Sequence, residues 1–243
     1  MKKQININFL DFDKYKNEIN DILKSNPNFN FSTTNYDYLV CFGGDGTFVN
    51  TLRNFYNKKI NIILYPKGNL NFFGTLNLDI DQFQFSYFNI LEIDIDNVKY
   101  FSINELILTK INSTSKFTIC LNNDNLYSFQ GSGFYCCTTM GSSGFNRSCG
   151  GPLFFDNNLY CYNELFVAKN KNNKFLDQPL MLSNQHLNII NTENDHDEFQ
   201  LKIDGNSYVI KNWKNISIKL TNSCAKINLS YLTWLEAIRT KLI

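Results

Sequence analysis

The sequence predicts an N-terminal α/β lobe, a β-sandwich lobe after it, and a C-terminal helix that crosses back to the first lobe. Apolar strands alternate with helical spacing up to about residue 98, and closely spaced short strands replace them from about Tyr100. Helical periodicity returns over 231–243. The predicted domains are therefore 1–98 and 99–230, with 231–243 packed on the first of them.

The first lobe opens with a strand and a helix and continues in the same alternation. Its strands are short apolar runs, and its helices carry apolar residues three and four positions apart. The predicted elements are strands at 5–9, 38–42 and 61–65, and helices at 14–24 and 48–56. This order is typical of a parallel sheet with helical connections.

The second lobe consists of short β-like segments with almost no helical spacing between them. They begin with FSINELILTK at 101–110 and end with KINLS at 226–230. Many short strands separated by turn residues predict a sandwich of two sheets. No internal repeat is visible, and the boundary near 95–100 rests on the change of period alone.

Charge and cysteine content exclude several classes of protein. The 23 basic residues nearly balance the 22 acidic ones, with no block that predicts a nucleic-acid or membrane-surface partner. Seven cysteines without paired spacing argue against a disulfide framework and a structural metal. The start of the chain lacks a signal-peptide pattern, and no apolar run is long enough to span a membrane. We therefore expect a cytoplasmic protein.

The run Gly43-Gly44-Asp45-Gly46-Thr47 ends an apolar strand and precedes a helix. Glycines let the backbone approach a phosphate, and a helix N-terminus directs N–H groups at it. Asp45 would repel that phosphate unless it takes a proton from an attacking hydroxyl or holds a neutralising cation. The pattern favours a kinase, with Asp45 as catalytic base and the donor phosphates bound by Gly43, Gly44, Gly46 and Thr47.

This loop resembles the one shared by NAD kinases, diacylglycerol and sphingosine kinases and, more distantly, phosphofructokinases. Three further motifs resemble NAD kinases in the order of that family: Gly68-Asn69-Leu70-Asn71-Phe72-Phe73, Asn104-Glu105, and GSGFYCCTTMGSSGFNRSCGGPLFF at 131–155. The third motif aligns without a gap and has the glycines, hydroxyls and aromatic ring that suit a dinucleotide groove. Weaker similarity reaches the closing helix, so the resemblance covers nearly the whole chain.

The resemblance implies a divergent bacterial NAD kinase that phosphorylates the 2′-hydroxyl of the adenosine ribose of NAD. ATP or a related donor, with Mg²⁺ or another divalent cation carried by its phosphates, would supply the phosphoryl group. No protein ligand for the metal is assigned. The implied NAD-binding residues are Asp45, Gly46, Phe72, Asn104, Glu105, Ser132, Thr138, Ser142, Ser143, Gly144, Phe145 and Ser148. A homodimer or homotetramer is also implied.

Departures from the family pattern keep two alternatives open. Ser132 replaces an acidic residue, Phe145 replaces a tyrosine, and Ser143 and Gly144 replace threonine and alanine. A diacylglycerol or other lipid kinase would share the phosphate loop and the segment that begins at Pro66. A regulator that binds NAD without turnover would share the groove. Asp45 favours an enzyme over the regulator, and residues 138–151 favour NAD over a lipid.

Overall fold

The computed structural model describes residues 4–58, 60–67, 71–193 and 198–243, without the side chains of 222–225. Two compact units are present. Unit one comprises Met1–Phe88 with Cys224–Ile243, and unit two comprises Asn89–Ser223. Residues 68–70, which open the first family-like motif, lie outside the described residues.

Unit one alternates strands and helices before the chain enters unit two, and it ends with a helix. Its elements are β1 (Ile5–Phe9), α1 (Lys16–Ser25), β2 (Phe29–Phe31), β3 (Tyr38–Gly43), α2 (Asp45–Phe55), β4 (Asn61–Pro66) and, at the C-terminus, α4 (Tyr231–Lys241). The strands pair in parallel in the order β2-β1-β3-β4. The end of β16 (Asn215–Asn228) joins β4, where Ile227 pairs with Ile62.

The core of unit one explains why these segments form a parallel sheet. Ile7, Val40 and Ile63 lie on neighbouring strands and are almost fully buried, together with Ile19 of α1. Strands that are buried on both faces need continuous apolar runs, which is the pattern of Leu39–Phe42. The carboxyl ends of β3 and β4 meet where Gly43 pairs with Pro66, so the phosphate loop leaves this edge of the sheet.

Unit two is built almost entirely from antiparallel strands. Its elements are β5 (Phe85–Ile95), β6 (Val98–Ser102), β7 (Glu105–Lys110), β8 (Ser115–Leu121), β9 (Asp124–Gly131), β10 (Gly133–Thr138), α3 (Phe145–Ser148), β11 (Tyr160–Leu165), β12 (Leu180–Leu182), β13 (Leu187–Asn191), β14 (Glu198–Ile203), β15 (Asn206–Lys211) and most of β16. One sheet has the order β12-β11-β10-β7-β14-β15. The other contains β16-β13-β8-β9, with β5 paired to β16 and β6.

A single apolar core joins the two sheets of unit two. Phe134 and Leu108 come from the first sheet, Phe117 and Ile216 from the second, and all four are fully buried. Trp213 also packs in this core, stacked on Phe117 with ring centroids 6.1 Å apart. Two sheets that share one core form a sandwich. The predicted class, an α/β lobe with a β-sandwich, is confirmed.

The structure differs from the predicted elements in two places that affect the site. Helix α2 begins at Asp45 rather than near residue 48, so Asp45, Gly46 and Thr47 form its first turn. Strand β5 was missed, and the compact unit two begins within it, at Asn89. The predicted domain limits at 98 and 99 stay a prediction.

Candidate functional site

The phosphate loop of unit one is the turn from β3 into α2. Gly44 is the N-cap residue, and Gly46 and Thr47 are exposed in the first helical turn. A Cβ on Gly43 would lie 2.5 Å from Thr47 Oγ1, so only glycine allows the strand to approach the helix this closely. This turn lies at the carboxyl edge of the sheet, which is where α/β proteins bind ligands.

Asp45 is held by the segment that follows β4. Its Oδ2 accepts a hydrogen bond from the Phe72 amide at 2.8 Å, and its Oδ1 accepts one from the Phe73 amide at 3.1 Å. Each carboxylate oxygen can accept more than one hydrogen bond. Asp45 is therefore fixed in orientation and retains the capacity to take a proton.

Phe72, the predicted NAD-contacting aromatic residue, lies beside this carboxylate. Its ring is partly exposed and meets Phe73 edge to face at 5.1 Å, and Phe73 packs on Phe48 of α2 at 5.5 Å. A cavity of about 270 Å³ lies between the 72–75 segment and α4. Unit one thus places the phosphate loop, Asp45 and Phe72 together.

The acceptor motif of unit two is organised by a residue that the sequence analysis did not assign to the site. Asp204, in the turn between β14 and β15, accepts hydrogen bonds from Ser102 Oγ at 2.8 Å and from the amides of Ile103, Asn104 and Glu105 at 2.8, 2.7 and 3.2 Å. Burial raises the pKa of this carboxyl, and the four hydrogen bonds act in the opposite direction. An Asp-Gly turn after a strand was the only sequence signal for this role.

Asn104 and Glu105 carry the unusual side chains of this motif. Asn104 Oδ1 is buried and has no partner among the described residues. Burial, and secondarily the charge of Asp204, raises the pKa of Glu105 to about 7. The Glu105 carboxylate also lies 3.8 Å from where a Cβ on Gly144 would be. A buried acceptor without a donor and a destabilised carboxylate are typical of a site that awaits a ligand.

The acceptor loop, residues 138–151, contains a 3₁₀ turn at Met140–Ser143 and the single-turn helix α3. Two of its four predicted ligand hydroxyls are used internally. Thr138 Oγ1 donates to the Ile103 carbonyl and accepts from the Met140 amide, and Ser142 Oγ donates to the Thr139 carbonyl at 2.8 Å. Both side chains are buried, so they shape the loop.

The remaining predicted residues of the loop lie on its accessible side. Gly144 and Ser148 are exposed, and Ser143 and Phe145 are partly exposed. Gly141 lies against the Asn104 backbone, where a Cβ would come within 2.3 Å of the Asn104 carbonyl oxygen. The loop therefore docks directly on the Asn-Glu motif.

Ser132 is not brought together with these residues. It precedes β10, whereas Thr138 ends that strand, and the backbone of Ser132 bonds Lys110 and Leu165 at 2.7 and 3.0 Å. At about 3.3 Å per strand residue, roughly 20 Å separates Ser132 from the acceptor loop within unit two. Its predicted contact with NAD stays a prediction.

Neither a metal cluster nor a membrane helix is found in the part of the chain that the structure describes. No three His, Cys, Asp or Glu side chains there are grouped to hold an ion. Both carboxylate oxygens of Asp45 accept hydrogen bonds from backbone amides. None of the helices among those residues is long and apolar enough to cross a membrane.

The chain is similar to several characterised kinases, although no family model matches it. The NAD kinase of Ureaplasma parvum is 29% identical over 206 residues, which cover 79% of this chain and 76% of the relative. The NAD kinase of Clostridium kluyveri is 24% identical over 87% of this chain and 79% of its own length. The chain is a divergent relative of the NAD kinases.

Solved structures of NAD kinases and NADH kinases have the same fold. Yeast NADH kinase complexed with NADH superposes with a TM-score of 0.79 at 14% identity, covering 100% of this chain and 88% of that one. An NAD kinase from Archaeoglobus fulgidus in complex with ATP gives a TM-score of 0.72 at 16% identity, covering 96% and 98%. NAD kinase architecture is thus retained despite the low identity.

Proposed function

We propose that this protein is an NAD kinase that transfers the γ-phosphoryl group of ATP to the 2′-hydroxyl of the adenosine ribose of NAD. The observation that carries the proposal is the pair Asn104 and Glu105 of unit two, which Asp204 holds against a glycine-rich loop and in which Asn104 Oδ1 has no partner among the described residues. Such a pair suits a ligand with several hydroxyl and amino donors, as a nucleoside has.

Asp45 is the catalytic base of the proposed reaction. The ribose oxygen attacks the γ-phosphorus as the bond to the bridging oxygen of ATP breaks, and the hydroxyl proton passes to the Asp45 carboxylate. The Phe72 and Phe73 amides orient this carboxylate before the reaction. Proton transfer to a positioned base typically contributes about 10²- to 10⁴-fold in rate.

The donor phosphates are bound by the first turn of α2. The first N–H groups of a helix have no partner within the helix, and the helix N-terminus, here Gly44 to Thr47, adds partial positive charge. In this proposal the divalent cation is carried by the donor phosphates, as MgATP. Gly43 contributes the close approach of strand and helix.

Recognition of NAD belongs to unit two in this proposal. The Glu105 carboxylate accepts from ribose hydroxyls, and the Asn104 amide oxygen accepts from an amino group of the ligand. Ser143, Gly144, Phe145 and Ser148 provide the accessible face of the acceptor loop. We further propose a cytoplasmic location and a homodimeric or homotetrameric assembly.

An assay of NADP formation tests the proposal directly. Purified protein with Mg²⁺ is given ATP, another nucleoside triphosphate or polyphosphate as donor, and NAD, NADH or dispersed diacylglycerol as acceptor. We expect NADP from NAD, with ATP as an effective donor. Phosphate on the lipid and none on NAD would show that the lipid-kinase alternative is correct.

The Asp45→Asn variant tests the assigned base. An amide cannot take the proton, so we expect kcat to fall about 10²-fold or more, while calorimetry shows NAD binding within about threefold of the wild type. Turnover that survives this change would rule out Asp45 as the base. If the Asp45→Asn variant no longer binds NAD, Asp45 has a binding role instead.

A further inference from the structure

Asn146 is a completely buried polar residue within the acceptor loop, and the roles described above do not use it. Its Oδ1 accepts a hydrogen bond from Tyr135 Oη at 3.0 Å. Its Nδ2 donates to the Ser142 carbonyl at 3.1 Å and to the Pro152 carbonyl at 2.7 Å. One amide therefore satisfies three partners on three different segments.

These partners connect the two limbs of the acceptor loop to the strand beneath it. Ser142 lies before α3, Pro152 lies after the loop turns back, and Tyr135 is a fully buried residue of β10. Gly151 leaves no room for a side chain here, because a Cβ would lie 1.9 Å from Asn146 Oδ1. The backbone is closely fitted around this amide.

The loop contains little regular secondary structure. Helix α3 spans only Phe145–Ser148, and a single helical turn is not stable without tertiary contacts. Gly144 and Ser148 on its outer side are exposed to solvent. The Tyr135 ring supports the inner side, where it meets Phe145 edge to face at 5.4 Å.

We propose that Asn146 is a positioning residue for the acceptor, which keeps the face formed by Ser143, Gly144 and Phe145 next to the Glu105 carboxylate. This inference rests on the proposed function, because it assumes that this face binds NAD. Asn146 does not touch the ligand. It acts by holding both limbs of the loop at a fixed height above β10.

Two variants of this network and one matched control test the proposal. Asn146→Ala removes all three hydrogen bonds. Tyr135→Phe removes the hydroxyl that donates to Asn146 and that also accepts from Asn163 Nδ2 at 3.3 Å. Asn191→Ala is the control, since Asn191 is a half-buried amide of unit two, on β13, that bonds the Trp213 carbonyl at 3.4 Å and lies outside the loop. NAD dissociation constants from calorimetry, KM for each substrate and thermal midpoints are measured for all three.

A positioning role predicts a split between the two substrates. We expect Asn146→Ala, which loses three hydrogen bonds, to weaken NAD binding about tenfold or more, and Tyr135→Phe, which loses one of these three, about threefold. KM for ATP should stay within about twofold in both. Asn191→Ala should lower the thermal midpoint and leave NAD binding unchanged.

Three results would overturn the inference. The first is a loss of stability in Asn146→Ala with no change in NAD binding, and the second is an equal loss for NAD and ATP. The third result applies if Asn146→Ala does not fold: the Tyr135→Phe variant is then the test, and unchanged NAD binding in that variant would overturn the inference. Wild-type protein that binds NAD without phosphorylating it would refute the proposed kinase, while the binding comparison still decides the role of Asn146. Wild-type protein that does not bind NAD overturns both.

Discussion

Glu105→Gln should make unit two more stable at alkaline pH while it weakens NAD binding. Glu105 is partly buried, and burial together with the charge of Asp204 raises its pKa to about 7 from the ordinary 4.5. Glutamine keeps the size of the side chain and remains neutral at every pH. The variant therefore removes the ionisation and little else.

The magnitude follows from the two pKa values. Below pH 4.5 the carboxyl is protonated in both the folded and unfolded chain, so ionisation contributes nothing there. As pH rises from 4.5 to about 7, the unfolded chain loses its proton first, and the fold becomes less stable. At about 1.4 kcal/mol for each tenfold change in acidity, the full cost above neutral pH is about 3 kcal/mol.

Thermal unfolding at pH 5 and pH 8 measures this effect. Unit two contains Trp213 in its core, and unit one contains Trp234 in α4, so a Trp234→Phe background makes tryptophan fluorescence report unit two. We expect the stability advantage of Glu105→Gln to grow by about 2–3 kcal/mol between these pH values, a thermal shift of roughly 5–10 °C.

The matched control is Glu164→Gln, which changes another buried carboxyl of unit two that accepts from Tyr127 Oη. Burial raises the pKa of Glu164 as well, but this residue lies on β11 and has no assigned contact with NAD. KM for NAD should rise about tenfold or more in Glu105→Gln, because a charged acceptor is lost, and should not change in Glu164→Gln. An advantage of Glu105→Gln that is equal at pH 5 and pH 8 would refute the reasoning.

Two further predictions concern the support of the acceptor motif. Gly141→Ala places a Cβ 2.3 Å from the Asn104 carbonyl oxygen, so thermal unfolding should show a loss of about 1–3 kcal/mol, and KM for NAD should rise. An unchanged KM for NAD in Gly141→Ala would mean that the loop does not need to dock on Asn104. Asp204→Asn leaves a buried amide facing backbone donors, so denaturant unfolding should show a loss of about 2–4 kcal/mol. A wild-type unfolding midpoint for Asp204→Asn would mean that its four hydrogen bonds do not organise the motif.

Much of the fold was predictable because the signals are local. The strand 38–42 and the glycine turn after it lie in one short stretch, and the structure has β3 and α2 there. The long strand β5 was missed. Ile90 and Leu91 are buried in succession within it, and its partner strand β16 lies far away in the chain. Element types follow from periodicity, whereas boundaries depend on packing.

The candidate site was predictable only in part. Glycine-rich turns and the Asn104-Glu105 pair stand out in the sequence. The sequence does not show which hydroxyl groups bond within the loop and which are accessible to a ligand. Thr138 and Ser142 have the same chemistry as Ser148, and the structure buries the first two and exposes the third. Whether such a side chain is buried depends on the backbone groups that pack against it, and residues far away in the chain provide some of these groups.

The sequence by itself determined the two kinds of lobe, the phosphate loop with Asp45, and the resemblance to NAD kinases. Only the tertiary structure showed that Phe72 and Phe73 hold Asp45, and that Asp204 holds Asn104 from 100 residues away. Periodicity and turn chemistry involve only a few neighbouring residues, so they can be recognised in the sequence. Hydrogen bonds between distant segments depend on sheet register and loop docking, which are settled only when the whole unit packs.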